Sequence, residues 1–459
     1  MNCKRKISNS VLLSLAIALL PMSSVSFRAQ ANDGLAPGLT PVGAEQKGNS
    51  AGTIPAWTGG LTSAPDGYEK GQAHIDPFAK DKSIATITAE NVGEYADKLT
   101  EFDKAMFGRH ADTYKINIYP TRRSCAFPQF VYDALARNAQ TATLLNDGNG
   151  IAGATISSPF PIPKSGVEVY WNHNLHYKGF RVKQKVTGGT VTPEGELIRV
   201  VRDDRMLSRY YDPELKSIED LNGIEMEWIA VWSAPPRAAG TGFSMINPID
   251  QLETPRSGVM FSPDRRKVMQ APSNSVTYDA PLMTGLGARN SDDMFIGNGS
   301  PDRYNWKLIG KKEIYIPYNS YKATENGVEI DDLVRPGHLN PEFLRYELHR
   351  VWVVEATLKT DQFKHTYHRR VFYYDEDSWI AVAADLYDEN DTLVGGQTGF
   401  IKNYYEVPAC RQDFDVIYQF TTGRYNLDNV KNEFGPTQYN ADVKSRDLGA
   451  SALRRAIAR

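Results

Sequence analysis

From about residue 163 onward the chain reads as a succession of short runs rich in β-branched and aromatic residues, separated by turn-forming clusters. No strand–helix–strand alternation interrupts them, so the sheet is expected to be mostly antiparallel. The pattern predicts strands at residues 166–171, 179–188, 195–201, 206–211, 224–233, 240–246, 257–262, 265–271, 312–318, 349–358, 366–374, 378–387 and 413–421. Turn signals separate many of them, such as Gly188-Gly189, Pro263-Asp264 and Glu389-Asn390-Asp391. The expected class is α+β, mostly β. An aromatic content of 11% with 36 Gly and 26 Pro agrees with strands and turns more than with helices.

Several of these strands are apolar on both sides. In residues 349–358 one face carries Trp352, Val354, Ala356 and Leu358, and the other carries Val351 and Val353. Residues 379–387 are likewise apolar on both faces. A sheet washed by water on one side would alternate more cleanly, so both faces must be covered. A sandwich core or packed helices would do this, and so would a curved sheet whose concave face encloses an apolar cavity.

The N-terminal part reads differently. Lys4, Arg5 and Lys6 precede an apolar run at residues 11–20, too short for the roughly 20 residues a membrane span requires. Ala29-Gln30-Ala31 follows as a small-x-small cleavage site, so residues 1–31 are expected to be a signal peptide cleaved after Ala31, with the remainder exported to the periplasm. Residues 32–86 form an extended Gly/Pro-rich segment, with Ile54 and Trp57 as docking points. Residues 87–459 make up the helices and the sheet domain. Thr88 can cap a helix with a stripe of Val92, Tyr95, Leu99, Phe102 and Met106. A second helix is predicted at residues 128–145, with Val131, Ala134, Leu135, Ala139, Ala142 and Leu145 inside.

Composition narrows the function. Cleavage after Ala31 would remove four basic and no acidic residues, taking the formal charge from −3 to −7. That balance argues against nucleic acid and anionic membrane surfaces as partners. No window after the leader approaches a transmembrane span, so an integral membrane protein is not expected. Two cysteines would remain, Cys125 and Cys410, and an even count in an oxidising compartment suggests one disulfide between them.

Candidate chemistry is sparse. His173 and His176, read as a strand, would point to opposite faces, as would His365 and His368, and neither pair has a third ligand at zinc-site spacing. Asp147-Gly148-Asn149-Gly150 lacks the ending of a phosphate loop and reads as a helix stop and turn. Asp375-Glu376-Asp377 and Asp388-Glu389-Asn390-Asp391 lack calcium-loop spacing and read as hairpin turns. With no Gly-x-Ser-x-Gly elbow either, no catalytic residue, metal ligand or cofactor site is assigned, and the chain is not expected to be an enzyme.

Longer phrases carry more information. Leu39-Thr40-Pro41 with Gly43-Ala44-Glu45, Gly52-Thr53-Ile54-Pro55-Ala56-Trp57, Tyr119-Pro120-Thr121-Arg122-Arg123-Ser124, Pro159-Phe160-Pro161-Ile162-Pro163 and Trp171-Asn172-His173 come first. The stretches at residues 301–313, 336–341, 345–355 and 372–379 follow, among them Pro301-Asp302-Arg303-Tyr304-Asn305-Trp306 and Phe372-Tyr373-Tyr374-Asp375-Glu376-Asp377-Ser378-Trp379. Together they resemble domain of unknown function 1329, a bacterial exported family related to periplasmic lipoprotein carriers and outer-membrane lipoprotein-sorting proteins. The Cys125 and Cys410 pair is not part of that resemblance.

The resemblance implies a large curved antiparallel sheet, an unclosed barrel, with helices covering its mouth. It implies a periplasmic carrier or binding protein for lipid or another long hydrophobic molecule. Possible partners are an outer-membrane barrel protein and an inner-membrane exporter. A scaffold subunit of an export system without a ligand of its own, and a hydrolase, are the competing readings. Alternation proposes Trp228, Trp232, Phe243, Met245, Trp352, Val354, Phe372, Trp379 and Ala381 as candidates for the cavity wall, although each fits a filled core better than a ligand contact.

Overall fold

Two antiparallel meanders, joined edge to edge, carry the fold. The computed structural model describes residues 35–271, 277, 279–282 and 285–457, and the predicted leader lies outside the described residues. Two short strands come first, β1 (Ala85–Ile87) and β2 (Ile116–Ile118), then a small hairpin of β3 (Thr143–Leu145) and β4 (Gly150–Ala152). The first meander runs through β5 (Arg181–Val191), β6 (Leu197–Ser208), β7 (Ile224–Ala234), β8 (Gly242–Pro248), β9 (Ser257–Ser262) and β10 (Lys267–Gln270). The second opens with β11 (Tyr304–Pro317) and a detour through β12 (Val334–Arg335) and β13 (His338–Leu339). It continues through β14 (Tyr346–Leu358), β15 (Arg369–Asp375), β16 (Ala381–Tyr387), β17 (Leu393–Tyr404), β18 (Ala409–Gln419) and β19 (Tyr425–Val430), and β20 (Gln438–Tyr439) returns to β5.

β19 closes the seam by pairing antiparallel with β5, Tyr425 opposite Val191 and Leu427 opposite Gly189. The product is one sheet of 16 strands that does not close on itself. Among the described residues its one parallel contact is Ile118 of β2 beside Tyr346 of β14. Register shifts leave an extra residue in β7, β11, β16, β17 and β18, and such bulges bend and twist a strand and so curve the sheet. Arg202 of β6 crosses the seam to Asp428 of β19 at 2.6 Å while also holding Asp204 at 3.1 Å.

Helices cover the faces: α1 (Glu101–Arg109), α2 (Gln129–Thr141), α3 (Gly166–Leu175), the single turn α4 (Ile330–Leu333) and α5 (Ala450–Ile457). Among the described residues no helix is long and apolar enough to cross a membrane. α1 lays Phe102 and Met106 on Phe414, Val416 and Tyr418. α5 buries Ala452 and Leu453 against Leu207 and Ile229, the outer face of the first meander. β16 is covered on both sides: Asp385 accepts from the Phe102 N–H of α1 at 2.8 Å, Ala384 and Leu386 pack with Ile296, and all seven of its residues are buried.

Local sequence decides several boundaries. The stripe read as one helix from residue 92 is a 3-10 turn, Val92–Lys98, followed by α1. Thr100 separates them, because it is extended and forms a capping box with Asp103. The helix predicted to residue 145 ends at Thr141, and Leu145 sits exposed in the β3–β4 hairpin, whose turn is Asn146–Gly148. Residues 166–171, read as a strand, form α3 instead. Its start is set by the Ser165 side chain, which accepts from the Glu168 N–H.

Cys125, just before α2, is disulfide-bonded to Cys410 of β18 across 285 residues of sequence. Residues 35–84 run over the second meander as a strap. Trp379 donates its indole N–H to the Val42 carbonyl at 2.9 Å, and Asn403 donates to the Leu61 carbonyl at 2.7 Å. Ile54 is buried, and the Trp57 indole reaches the Cys125 carbonyl at 3.5 Å.

Candidate functional site

The inner face of the first meander is aligned by register. Val182 of β5 stands opposite Met206 of β6, Met206 opposite Trp228 of β7, and Trp228 opposite Met245 of β8. Because side chains alternate between faces, these four form one apolar row across four strands. The next row in the same direction is Gln184, Asp204, Ala230 and Phe243. An apolar stripe thus lies beside a partly polar one.

This face lines a cavity of about 180 Å³. Its far wall comes from the C-terminal end of α3 with Leu175, His176 and Lys178, and from Leu282, Met294 and Phe295. Phe295 and its neighbour Ile296 both hold left-handed backbone, φ 56° and 60°, a costly conformation that surrounding packing must sustain. The methionines Met206, Met226, Met245 and Met294 line the space, and unbranched thioethers adapt to irregular apolar shapes.

The polar end is ordered by hydrogen bonds. Arg202 is held by Asp204, Asp428 and Asn429, and Asp204 also accepts from Gln184 at 3.1 Å and from the Trp228 indole at 3.3 Å. Burial pushes the Asp204 carboxyl up against the opposing pull of Arg202, whereas at Asp428 Arg202, Arg289 and the Asn429 backbone together overcome burial and hold the carboxyl low. Arg411 donates to the Gln184 side-chain oxygen at 3.1 Å. Arg256 donates to Asn247 at 2.7 Å and to Ser291 at 2.9 Å. Burial, and then the positive charge of Arg411, brings Lys178 down to about 8, opposed by Glu225. Burial raises Glu225, which Lys178 and Arg256 counter.

The sequence-predicted residues divide between two places. Trp228, Phe243 and Met245 line the cavity. Trp232 lies further along β7, buried with Val200, Ala230 and Ala238. Val354, Phe372, Trp379 and Ala381, with Trp352 packed against them, form a filled cluster on the second meander under Val169 of α3 and Ile296. Trp352 and Trp379 stack there at 6.1 Å. Sequence reasoning did not single out Met206 or Met226, although Met226 shares the parity of Trp228. Lys178 and Arg256 were not singled out either, and Arg202 and Arg411 gave no signal of their reach to Asp428 and Gln184, which lie 226 and 227 residues away in sequence.

The histidines and acidic turns have other roles. On α3, His173 and His176 stack at 5.6 Å, and burial keeps both neutral, His173 down to about 3. Asp375, Glu376 and Asp377 lie in the β15–β16 connection but are buried in an ion network. Asp377 takes a two-pronged bond from Arg123 at 2.6 and 2.8 Å, and Glu376 meets Lys311 at 2.9 Å. His349, Asp375 and Asp377 bring ligand atoms within 4.8 Å of one another, the spacing of a metal site. Arg123 already occupies Asp377 there, and Ser378 donates to Asp375 at 2.6 Å.

The site is thus a hollow on part of the inner face of a large, unclosed, mostly antiparallel sheet whose outer face carries helices. The chain belongs to the family described as protein of unknown function (DUF1329), matched over residues 86–454. Protein PA3922 of Pseudomonas aeruginosa, described as uncharacterized, is 38% identical over 449 residues, covering 96% of each chain. A solved DUF1329 family protein from Desulfovibrio piger aligns at 15% identity and a TM-score of 0.41, over 60% of this chain and 92% of that one. A LolA superfamily protein from Nitrosomonas europaea aligns at 12% identity and 0.37, over 63% of this chain and 100% of that one.

Proposed function

We propose that the chain is a periplasmic carrier or binding protein for lipid or another long hydrophobic molecule, held in the cavity between β5–β8 and α3. The observation that carries this reading is the row Val182, Met206, Trp228 and Met245, four apolar side chains turned into a cavity of about 180 Å³ rather than into packed core. Such a surface gains about 0.8 kcal/mol for each methylene it removes from water. An acyl chain that must cross an aqueous compartment needs a host of this kind. The adaptable methionines suit a flexible chain whose length and shape vary. The cavity's role in this reading is binding, with no bond made or broken.

The test is organic extraction of purified full-length protein followed by mass spectrometry of the extract, together with titration of a fluorescent fatty-acid probe into delipidated protein. Co-purifying lipid displaced by the probe is the expected result. Folded protein that carries no lipid and takes up no probe would overturn the reading, and capture of an envelope partner by that protein would favour a scaffold.

A further inference from the structure

Among the described residues the charges around the cavity do not balance. The described lining includes the cations Lys178, Arg202, Arg256 and Arg411 and two carboxylates, Asp204 and Glu225, in a chain of formal charge −3. Arg202 is satisfied by Asp204 and by Asp428 behind it. Arg411 is not matched in this way. It is buried, and among the described residues no carboxylate stands within ion-pair distance of it. Its bond to Gln184 is to a neutral group. The acid next along its own strand but one, Asp413, is held by Lys402 at 2.8 Å and Lys431 at 3.0 Å. Lys178 is in a similar position, its Nζ donating to the Asn174 carbonyl at 2.7 Å with no carboxylate in ion-pair range among the described residues. Arg411 and Lys178 repel each other across the same space.

A buried guanidinium facing neutral partners is costly, and an entering oxyanion would relieve that cost. Its position relative to the apolar row is fixed by β5. Val182 belongs to the row, and Gln184, which holds Arg411, is the next residue on the same face, roughly 7 Å further along the strand. A molecule lying along Val182, Met206, Trp228 and Met245 therefore presents one end to Arg411.

We infer that the ligand is an anionic amphiphile, with its apolar chain on the Val182–Met206–Trp228–Met245 row and its oxyanion head, a carboxylate or a phosphate, on Arg411 with Lys178 beside it. This deepens the carrier reading and rests on it. Arg411 anchors the head by a charged hydrogen bond, and Lys178 adds a second positive charge.

Delipidated full-length protein titrated by calorimetry with dodecanoate, dodecyl phosphate and dodecanol separates the two claims. Both anionic probes are expected to bind at least tenfold more tightly than the alcohol, the worth of a charged hydrogen bond. R411Q should bring the acids down to the affinity of the alcohol, and K178Q should narrow the gap even if R411Q folds poorly. Equal affinity of acid and alcohol in wild type would overturn the inference while leaving the carrier reading intact. Binding of none of the three by folded protein would overturn both. Inorganic phosphate alone should fail to compete, and effective competition would mark a free-anion site and overturn the amphiphile. Preference for only one of the two anionic probes identifies the head as carboxylate or phosphate.

Discussion

The Nδ1 of His173 on α3 accepts a hydrogen bond from the backbone N–H of Ala381 on β16 at 3.1 Å. The opposite ring nitrogen lies 3.2 Å from the Gly297 carbonyl, to which it donates as N–H. These contacts tie the helix beside the cavity to both the sheet and the segment carrying Phe295. Nδ1 also lies 3.3 Å from the Trp379 carbonyl, and it is burial that disfavours a second proton on the ring.

Stability should therefore fall in acid through this residue. Its folded value of about 3 lies below the unfolded value near 6.5. The contribution is complete above about pH 6.5 and is lost as pH falls toward 3, where the unfolded chain takes up a proton that the folded one refuses. At pH 5 the loss is about 2 kcal/mol relative to neutral pH. Buried acids such as Asp375, raised to about 7 by burial and then by Asp377, titrate in the opposite sense. The measurement is accordingly the difference in urea unfolding between wild type and His173→Asn at the two pH values. An equal pH slope in both proteins would refute the assignment.

Gly396 should tolerate no side chain. A Cβ there would stand 2.3 Å from the Phe102 ring of α1. Gly396→Ala is expected to cost about 1–3 kcal/mol, the range for overpacking. In the double variant with Phe102→Ala the two costs should be less than additive, because the ring that causes the clash has gone. Additive costs in thermal or denaturant unfolding would show that α1 does not press on β17.

This strand also shows where the sequence was silent. β17 was not predicted because Gly395, Gly396 and Gly399 depress strand propensity. Each faces a close neighbour: the Tyr418 carbonyl, the Phe102 ring and the Gln412 side chain. The reason for the glycines lies in partners that only the fold brings near. The same is true of Arg202 and Asp428, which meet across 226 residues of sequence. By contrast, β9 was legible to the residue at Ser257–Ser262, and the two-sided apolar character of residues 349–358 correctly required cover on both faces. Alternation could nominate Trp228 and Trp379 alike. It could not tell that one faces a cavity and the other a filled core, since parity reports a face and not what stands opposite it.

The disulfide should be a large stabilising element. Cys125–Cys410 closes a loop of 285 residues, for which the chain-entropy model gives up to about 5 kcal/mol. Cys125→Ser with Cys410→Ser should lower stability by about 2–5 kcal/mol. Reduction of the wild type should reproduce the loss in denaturant unfolding, while leaving the double variant unchanged. A wild type indifferent to reductant, with both thiols alkylated before reduction, would contradict the bond.

The two groups of aromatic and apolar candidates should respond differently to substitution. Met245→Gln places a polar group on a half-buried wall where water can reach it, so its effect on stability should be small, within about 1 kcal/mol. Its effect on uptake of an acyl probe should be large, because it interrupts the row shared with Trp228. Phe372→Ala removes a ring that is 1% exposed within the packed cluster, and should cost about 3–5 kcal/mol by leaving a cavity. Below its unfolding transition, that variant should still take up the probe, since its ring lies among Val354, Trp379 and Ala381 and away from the first meander. Paired measurements of denaturant midpoint and probe affinity on the two variants decide the matter. Loss of probe binding in Phe372→Ala with retention in Met245→Gln would move the ligand from the first meander to the second.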